Sequence, residues 1–204
     1  MVTLYALKPR FQGLLRPLVG RLAAAGITAN QVTLAAAAGS LAVGALIAVA
    51  APGHGLFLLL PAWLFLRMAL NAIDGMLARE FGQKSPLGAY LNELCDVVSD
   101  AALYAPFGLL PAFGPVMIGL VVVLAVLTEF AGVLGPMIGA SRRYDGPLGK
   151  SDRAFVFGAL GLWVGFGGVL PGWTVAIPAI LALLLAVTVA NRIRAGLAEA
   201  RGQS

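Results

Sequence analysis

Charge is scarce in this chain. Of its 204 residues only 11% are Asp, Glu, Lys or Arg, while 60% are hydrophobic, and the mean hydropathy is +0.92. Soluble domains carry about 25% charged residues, so a water-soluble globule is excluded and an all-α integral membrane protein is expected. A single cysteine, Cys95, excludes an intrachain disulfide. Beside Asp96 in an apolar stretch it reads as a small core residue rather than a nucleophile or ligand. The only histidine, His54, lies in a Pro-Gly-His-Gly turn, and with no second histidine and no cysteine pair a zinc site is not expected. The net charge of +5 does not point to nucleic acid, because the basic residues fall in short segments between apolar runs rather than on one folded surface. No cleavable signal peptide is expected either. The early apolar run is broken by Arg16, Pro17 and Arg21 and has no clear small-residue cleavage site.

What is present is a succession of apolar runs, each near the roughly 20 residues needed to cross a bilayer. They predict six spans, at about 30–51, 56–79, 87–110, 115–139, 154–170 and 173–191, the fifth being rich in glycine. Thr28-Ala-Asn-Gln31 has the form of a capping box at the start of the first span. Before it, Lys8, Arg10, Arg16 and Arg21 alternate with Phe11, Leu14, Leu15, Leu18, Val19 and Leu22 at helical spacing. That pattern predicts an amphipathic helix lying on an anionic leaflet, or else an ordinary basic flank of the first span. The chain thus divides into a juxtamembrane helix at 1–28 and a six-helix transmembrane domain at 29–204.

Loop charge sets the orientation. Lys and Arg occur before span one, between spans two and three (Arg79, Lys84), between four and five (Arg142, Arg143, Lys150, Arg153) and after span six (Arg192, Arg194, Arg201). The loops around Gly53, Gly114 and Gly168 have none. Both termini are therefore expected in the cytoplasm, with the chain in the inner membrane.

One stretch breaks the apolar pattern. Between Arg67 and Asp100 the chain holds Asp74, Glu93 and Asp96 as well, in helix-like context. A charge at mid-helix depth costs about 2.5–3.5 kcal/mol on insertion scales, so several together imply partners, a metal or a water-filled cavity. Arg67, Asn71, Asp74 and Ala78 share one helix face, and Gly88, Asn92, Asp96 and Asp100 recur every four residues on the next helix. The short turn at 80–86 makes the two helices antiparallel neighbours, so the stripes can face each other on the cytoplasmic side. Carboxylates and amides without His or Cys are hard oxygen ligands suited to Mg²⁺, Mn²⁺ or Ca²⁺. With Arg79 beside them they suit a phosphate-bearing ligand, and a spare carboxylate could take a proton from an attacking hydroxyl. Spacing alone leaves open an ion path using the same buried acids.

The motif Asn71-x-x-Asp74-Gly75-x-x-Ala78-Arg79, eight residues, Gly88-x-x-x-Asn92-x-x-x-Asp96 resembles the pattern of the CDP-alcohol phosphotransferase family, which has aspartate at all four acidic positions. Ile27-Thr28-Ala29-Asn30-Gln31-Val32-Thr33 resembles the Pro-Asn-x-x-Thr segment with which that family starts its first span, with Ala29 in place of proline. The resemblance implies six spans, an amphipathic N-terminal helix, a homodimer and a divalent-metal-dependent reaction. A phosphatidyl group would pass from CDP-diacylglycerol to a polar alcohol, and CMP would leave. By position it implies Asp74 as a ligand of one or two Mg²⁺ or Mn²⁺ ions. It implies Asp96 as general base beside the metal, and Asn30, Thr33, Gly75, Ala78, Arg79 and Gly88 around the cytidine nucleotide.

Asn71 and Asn92 depart from the pattern. An amide oxygen can ligate a metal but brings no charge, so two negative charges are missing. One metal, weaker binding, or help from Glu93 and from Asp100, one turn beyond Asp96, all follow as options, as does a catalytically poor or repurposed member that binds without turnover. Asp100 is equally readable as a partner of Arg67 or another buried polar group, and Arg67 either stands in for the metal charge lost with the substitutions or pairs with Asp100 or Glu129. The basic, glycine-rich loop at 141–153 lies on the same side as the motif. By resemblance it holds the acceptor alcohol, with Lys150 and Arg153 foremost and Arg142 and Arg143 behind them; the same charges also serve membrane topology. A family member using another CDP-alcohol with a lipid acceptor remains the alternative reaction.

Overall fold

In the computed structural model, residues 4–49 and 54–202 are described, their side chains from Phe11 onward. Positions 50 and 51 of the first expected span, 52 and 53 of the turn before His54, the side chains of Lys8 and Arg10, and both chain ends lie outside them. Among the described residues there are seven α-helices and no strand. They are α1 (Leu4–Ala24), α2 (Ala29–Val49), α3 (Leu59–Glu80), α4 (Pro86–Tyr104), α5 (Pro115–Leu134), α6 (Lys150–Gly165) and α7 (Ile177–Gly202). Single 3₁₀ turns lead into α3 and α7 and continue α4 and α5.

Four of these units are long and apolar enough to cross a membrane: Ala29–Val49, His54–Glu80, Pro115–Ile138 and Gly172–Gly202. Three helices fall short of that measure, α1, α4 and α6, and the last two border the polar seam. α4 carries Glu93, Asp96 and Asp100 within 19 residues, and α6 has only 16 residues with Lys150, Asp152 and Arg153 in its first turn.

Local chemistry accounts for the boundaries. Thr28 and Gln31 form the expected reciprocal cap, Gln31 N donating to Thr28 Oγ1 at 3.2 Å and Thr28 N to Gln31 Oε1 at 2.9 Å. Ser85 caps α4 by accepting from Gly88 N at 3.0 Å, with Pro86 in the first turn where its missing N–H costs nothing. α6 runs from Lys150 to Gly165 rather than over 154–170. Asp152 accepts from Gly149 N at 2.9 Å at its start, and Gly167, at φ +73°, turns the chain out of the helix at its end.

α2 packs on α4 at a backbone-to-backbone approach. A Cβ on Gly44 would lie 2.2 Å from Ala102 O, so only glycine fits there. The main core lies at the end of the bundle away from the motif. It includes Phe57, Leu60, Tyr104, Phe107 and Phe157, with the Tyr104 and Phe157 rings stacked. A second core joins Val19 of α1 to Val32 of α2 and to Ile73, Met76 and Leu77 of α3. The apolar stripe of α1 is therefore partly taken up by protein: Val19 is fully buried and Arg16 pairs with Glu80, while Leu14 is exposed. Large apolar side chains such as Phe65, Val116 and Phe155 point outward, as a lipid-facing surface requires.

The loop between α5 and α6 does not stay outside the bundle. Ser141 donates through N and Oγ to Glu199, Arg192 Nε reaches Asp145 O at 3.4 Å, and Leu148 N donates to Thr188 Oγ1 at 3.1 Å. From Glu199 to Thr188 is about 16 Å along α7 at 1.5 Å per residue. The loop thus descends beside α7 and delivers the start of α6 to the level of the motif. Non-helical backbone at such depth is tolerated only where protein buries it or a water-filled cavity adjoins it.

Candidate active site

The motif is assembled where α2, α3 and α4 meet. Gln83, in the turn after α3, clamps the start of α2: its Oε1 accepts from Ala29 N at 2.7 Å, and its Nε2 donates to Ile27 O at 3.4 Å. One turn into α2, Thr33 Oγ1 lies 2.7 Å from Asp74 Oδ2. Both residues are buried, so the hydroxyl fixes one carboxylate oxygen and leaves the other for further partners. Asn30 lies against Gly88; a Cβ there would stand 2.8 Å from Asn30 Oδ1 and 3.0 Å from Ser85 Oγ. The Arg79 guanidinium folds back over Gly75, 2.9 Å from where a Cβ would be. Asn30, Thr33, Gly75, Arg79 and Gly88 thus gather at one end of the α2–α3–α4 contact, with exposed Arg79 at its rim and half-buried Ala78 beside it.

Asp96 faces this group from α4 and is held on both oxygens. Arg67 Nη2 donates to Oδ1 at 3.1 Å and to the Asp96 carbonyl at 3.0 Å, Asn71 Nδ2 donates to Oδ1 at 3.3 Å, and Lys150 Nζ pairs with Oδ2. Asn71 and Asp96 therefore do meet across the α3–α4 seam, as the facing stripes predict. Asn92, one turn before Asp96, is half-buried on the same helix.

Behind Asp96 the charges form a buried chain. Arg67 Nη1 pairs with Asp100 Oδ1, and Arg153 Nη2 bridges Asp100 Oδ2 at 3.0 Å and Glu129 Oε1 at 2.9 Å. Arg153 Nη1 donates to Thr128 Oγ1 at 3.0 Å. Arg192 reaches Glu129 Oε2 at 3.5 Å and donates to Thr128 O. Arg142 closes the chain, pairing with Glu93 and lying 3.7 Å from Glu129. Arg67, Arg153 and Arg192 are at most 4% exposed. Each buried guanidinium has carboxylate or carbonyl partners, as a low-dielectric interior requires.

This arrangement sorts the residues that the sequence singled out. Asn71, Asp74 and Asp96 sit together, with Thr33 on one carboxylate and Lys150 on the other. Asp100 is taken by two arginines, one of the two roles open to it, and Arg67 pairs with Asp100 and not Glu129. Arg142 faces Glu93 on α4. Arg143 lies farther out, donating to both oxygens of Asp145 and pairing with Glu199. Its hydrogen bonds hold the Asp145 carboxyl below the usual carboxylate range. Thr128 carried no signal in the sequence, and Arg192 read only as a basic flank. The available signal was weak: Arg192 falls four residues after Thr188 on one face of α7, where the apolar run gives way to Asn191, Arg192 and Arg194.

A model of the CDP-alcohol phosphatidyltransferase family matches residues 26–193. The chain is 50% identical over 193 residues to the inner membrane protein YnbA of Escherichia coli, covering 95% of this chain and 96% of that protein. It is 34% identical over 104 residues to the phosphatidylinositol phosphate synthase of Mycobacteroides abscessus, a stretch covering 51% of this chain and 46% of that enzyme. The fold matches the Mycobacterium tuberculosis phosphatidylinositol phosphate synthase with CDP-DAG bound at a TM-score of 0.73 and 20% identity, covering 88% of this chain and 92% of that one. The structure of that synthase in complex with manganese and citrate also matches with a TM-score of 0.73 and 20% identity, covering 89% and 88%. At such identity the likeness speaks for the fold.

Proposed function

The chain belongs to the CDP-alcohol phosphatidyltransferase family, and on that premise we propose that it transfers a phosphatidyl group from CDP-diacylglycerol to a polar alcohol and releases CMP. The observation that carries this reading is the meeting of Asp96 with Asn71 and Lys150 beside the Thr33–Asp74 pair, at the end of the bundle where Asn30, Gly75, Arg79 and Gly88 gather. In the reaction the alcohol oxygen attacks the lipid-side phosphorus. The bond from that phosphorus to the bridging oxygen breaks, CMP leaves with the electron pair, and Asp96 takes the hydroxyl proton. Arg79 is exposed at the rim, where it can face a nucleotide phosphate. Gly75, Ala78 and Gly88 present little side chain there, which lets the nucleotide approach the helix backbones.

The donor chemistry fits one divalent ion. Asp74, with the amide oxygens of Asn71 and Asn92, is a hard-oxygen set suited to Mg²⁺ or Mn²⁺. When bound, such an ion supplies positive charge to the diphosphate. Lys150 and Arg142, beside Asp96 and Glu93, line the side toward the acceptor. Arg143 and Arg153 hold that side in shape through Asp145, Glu199, Asp100 and Glu129.

Of the three helices short of the span criterion, α4 and α6 complete six crossings in this reading and α1 lies at the interface. In this reading, which the loop charges support, both termini and the motif lie on the cytoplasmic side of the inner membrane, and the protein works as a homodimer. A second reading, binding of donor without turnover, draws on the same carboxylate, because Lys150 occupies the oxygen that would take the proton. Chromatography of labelled lipid separates the two. A new phosphodiester lipid formed from CDP-diacylglycerol and one alcohol supports transfer; donor that binds but stays intact with every alcohol supports the second reading.

A further inference from the structure

Two observations about charge at the motif are independent of each other. Asn71 and Asn92 stand where the family pattern has aspartates, which removes two negative charges. Two positive charges lie on one of the remaining acids, Arg67, one turn before Asn71 on α3, on Asp96 Oδ1 and Lys150, from the start of α6, on Asp96 Oδ2. Neither cation is placed by chance. Arg67 is 4% exposed and is fixed from behind by Asp100. Lys150 is delivered by the descending loop, which Leu148 ties to Thr188 and Asp152 ties to Gly149, while Arg153, one turn later, is locked between Asp100 and Glu129.

The surroundings hold no surplus of negative charge. The carboxylates are Asp74, Glu93, Asp96, Asp100 and Glu129; the cations in contact with them are Arg67, Arg142, Lys150, Arg153 and Arg192, five against five. Among the described residues no three acidic, His or Cys side chains come together as a metal-holding group. A divalent cation needs uncompensated negative charge on its ligands, and a like charge on a neighbouring ammonium repels it.

We propose that Lys150 and Arg67 do at Asp96 what a second divalent cation does in a site with four acidic motif positions, so that this chain binds no more than one divalent ion, on the Asp74 side. The side-chain ammonium is a built-in counter-charge for Asp96. This inference concerns ion number and rests on the proposed reaction only for what the ion does.

The test counts Mn²⁺ per chain by electron paramagnetic resonance on the purified full-length protein in detergent, with Mn²⁺ alone and with Mn²⁺ plus CDP-diacylglycerol. Wild type is expected to hold at most one ion. Lys150→Gln is expected to bind Mn²⁺ at least about tenfold more tightly or to take a second ion. The triple variant Lys150→Gln, Asn71→Asp, Asn92→Asp is expected to hold two. Two ions on wild type overturn the proposal whatever the variants do. So does a Lys150→Gln protein, monodisperse and helical by circular dichroism, whose ion number and affinity match wild type. CMP release from the same samples reports separately on the transferase reading. Absence of CMP release with a count of one leaves the ion assignment standing and counts against transfer.

Discussion

The hydroxyl of Thr33 lies 2.7 Å from Oδ2 of Asp74, joining the first turns of α2 to the last two turns of α3 inside the bundle. That contact links the start of the first span to the motif on the second. Thr33→Val keeps the shape but leaves the buried carboxylate short of a donor, at a cost of about 1–3 kcal/mol. The expected outcome is a lower thermal midpoint in detergent and weaker binding of CDP-diacylglycerol. Unchanged values for both would remove Thr33 from the site.

Much of the site was legible because its signals are local. Arg67, Asn71, Asp74 and Ala78 share a helix face whatever surrounds them, and the turn at 80–86 is too short to allow anything but antiparallel neighbours. The meeting of Asn71 with Asp96 follows from those two facts. The cap at Thr28 and Gln31 was readable for the same reason. What was not legible is the path of residues 139–149. A polar, glycine-rich segment between apolar runs reads as an outer loop, and only contacts with Thr188, Arg192 and Glu199, some 40 to 58 positions away, draw it inward. The start of α6 and the placing of Lys150 on Asp96 depend on that path. Thr128 and Arg192 were missed for a related reason, since a buried ion-pair chain is specified by which helices pack together.

Arg153 is the residue on which that chain turns. It is 1% exposed and bridges Asp100, Glu129 and Thr128. Arg153→Met leaves two buried carboxylates without their shared partner and should destabilise the protein by about 3–5 kcal/mol. Adding Asp100→Asn should recover part of that loss by removing one uncompensated charge. Thermal unfolding of the single and double variants checks both statements; equal midpoints for wild type and Arg153→Met would contradict the account.

The contact between α2 and α4 is equally exposed to test. A Cβ on Gly44 would meet the backbone carbonyl of Ala102, which cannot swing aside as a side-chain tip can. Gly44→Ala should therefore push the two helices apart and cost about 1–3 kcal/mol. Gly13→Ala is the control, because nothing lies within 4 Å of a Cβ there. A Gly44→Ala midpoint equal to the control would mean that the helices are less closely packed than the structure has them.

Gly75 offers a test nearer the proposed nucleotide. A methyl group there would crowd the Arg79 guanidinium, which can move, so stability should change little. Gly75→Ala should instead raise the KM for CDP-diacylglycerol several-fold with a smaller effect on kcat, because Arg79 and the helix backbone are pushed off the nucleotide side. A KM equal to wild type would place the nucleotide elsewhere.

The central claim is transfer with Asp96 as base, and CMP release tests it most directly. Purified protein is mixed with CDP-diacylglycerol, Mg²⁺ or Mn²⁺ and a panel of alcohols, phosphorylated and not, beside Asp96→Asn protein that is still folded. The account predicts CMP release that depends on one alcohol and falls at least about a hundredfold in the variant. Release at the same rate from both proteins would remove Asp96 as the base, and no release with any alcohol, despite bound donor, would contradict transfer itself.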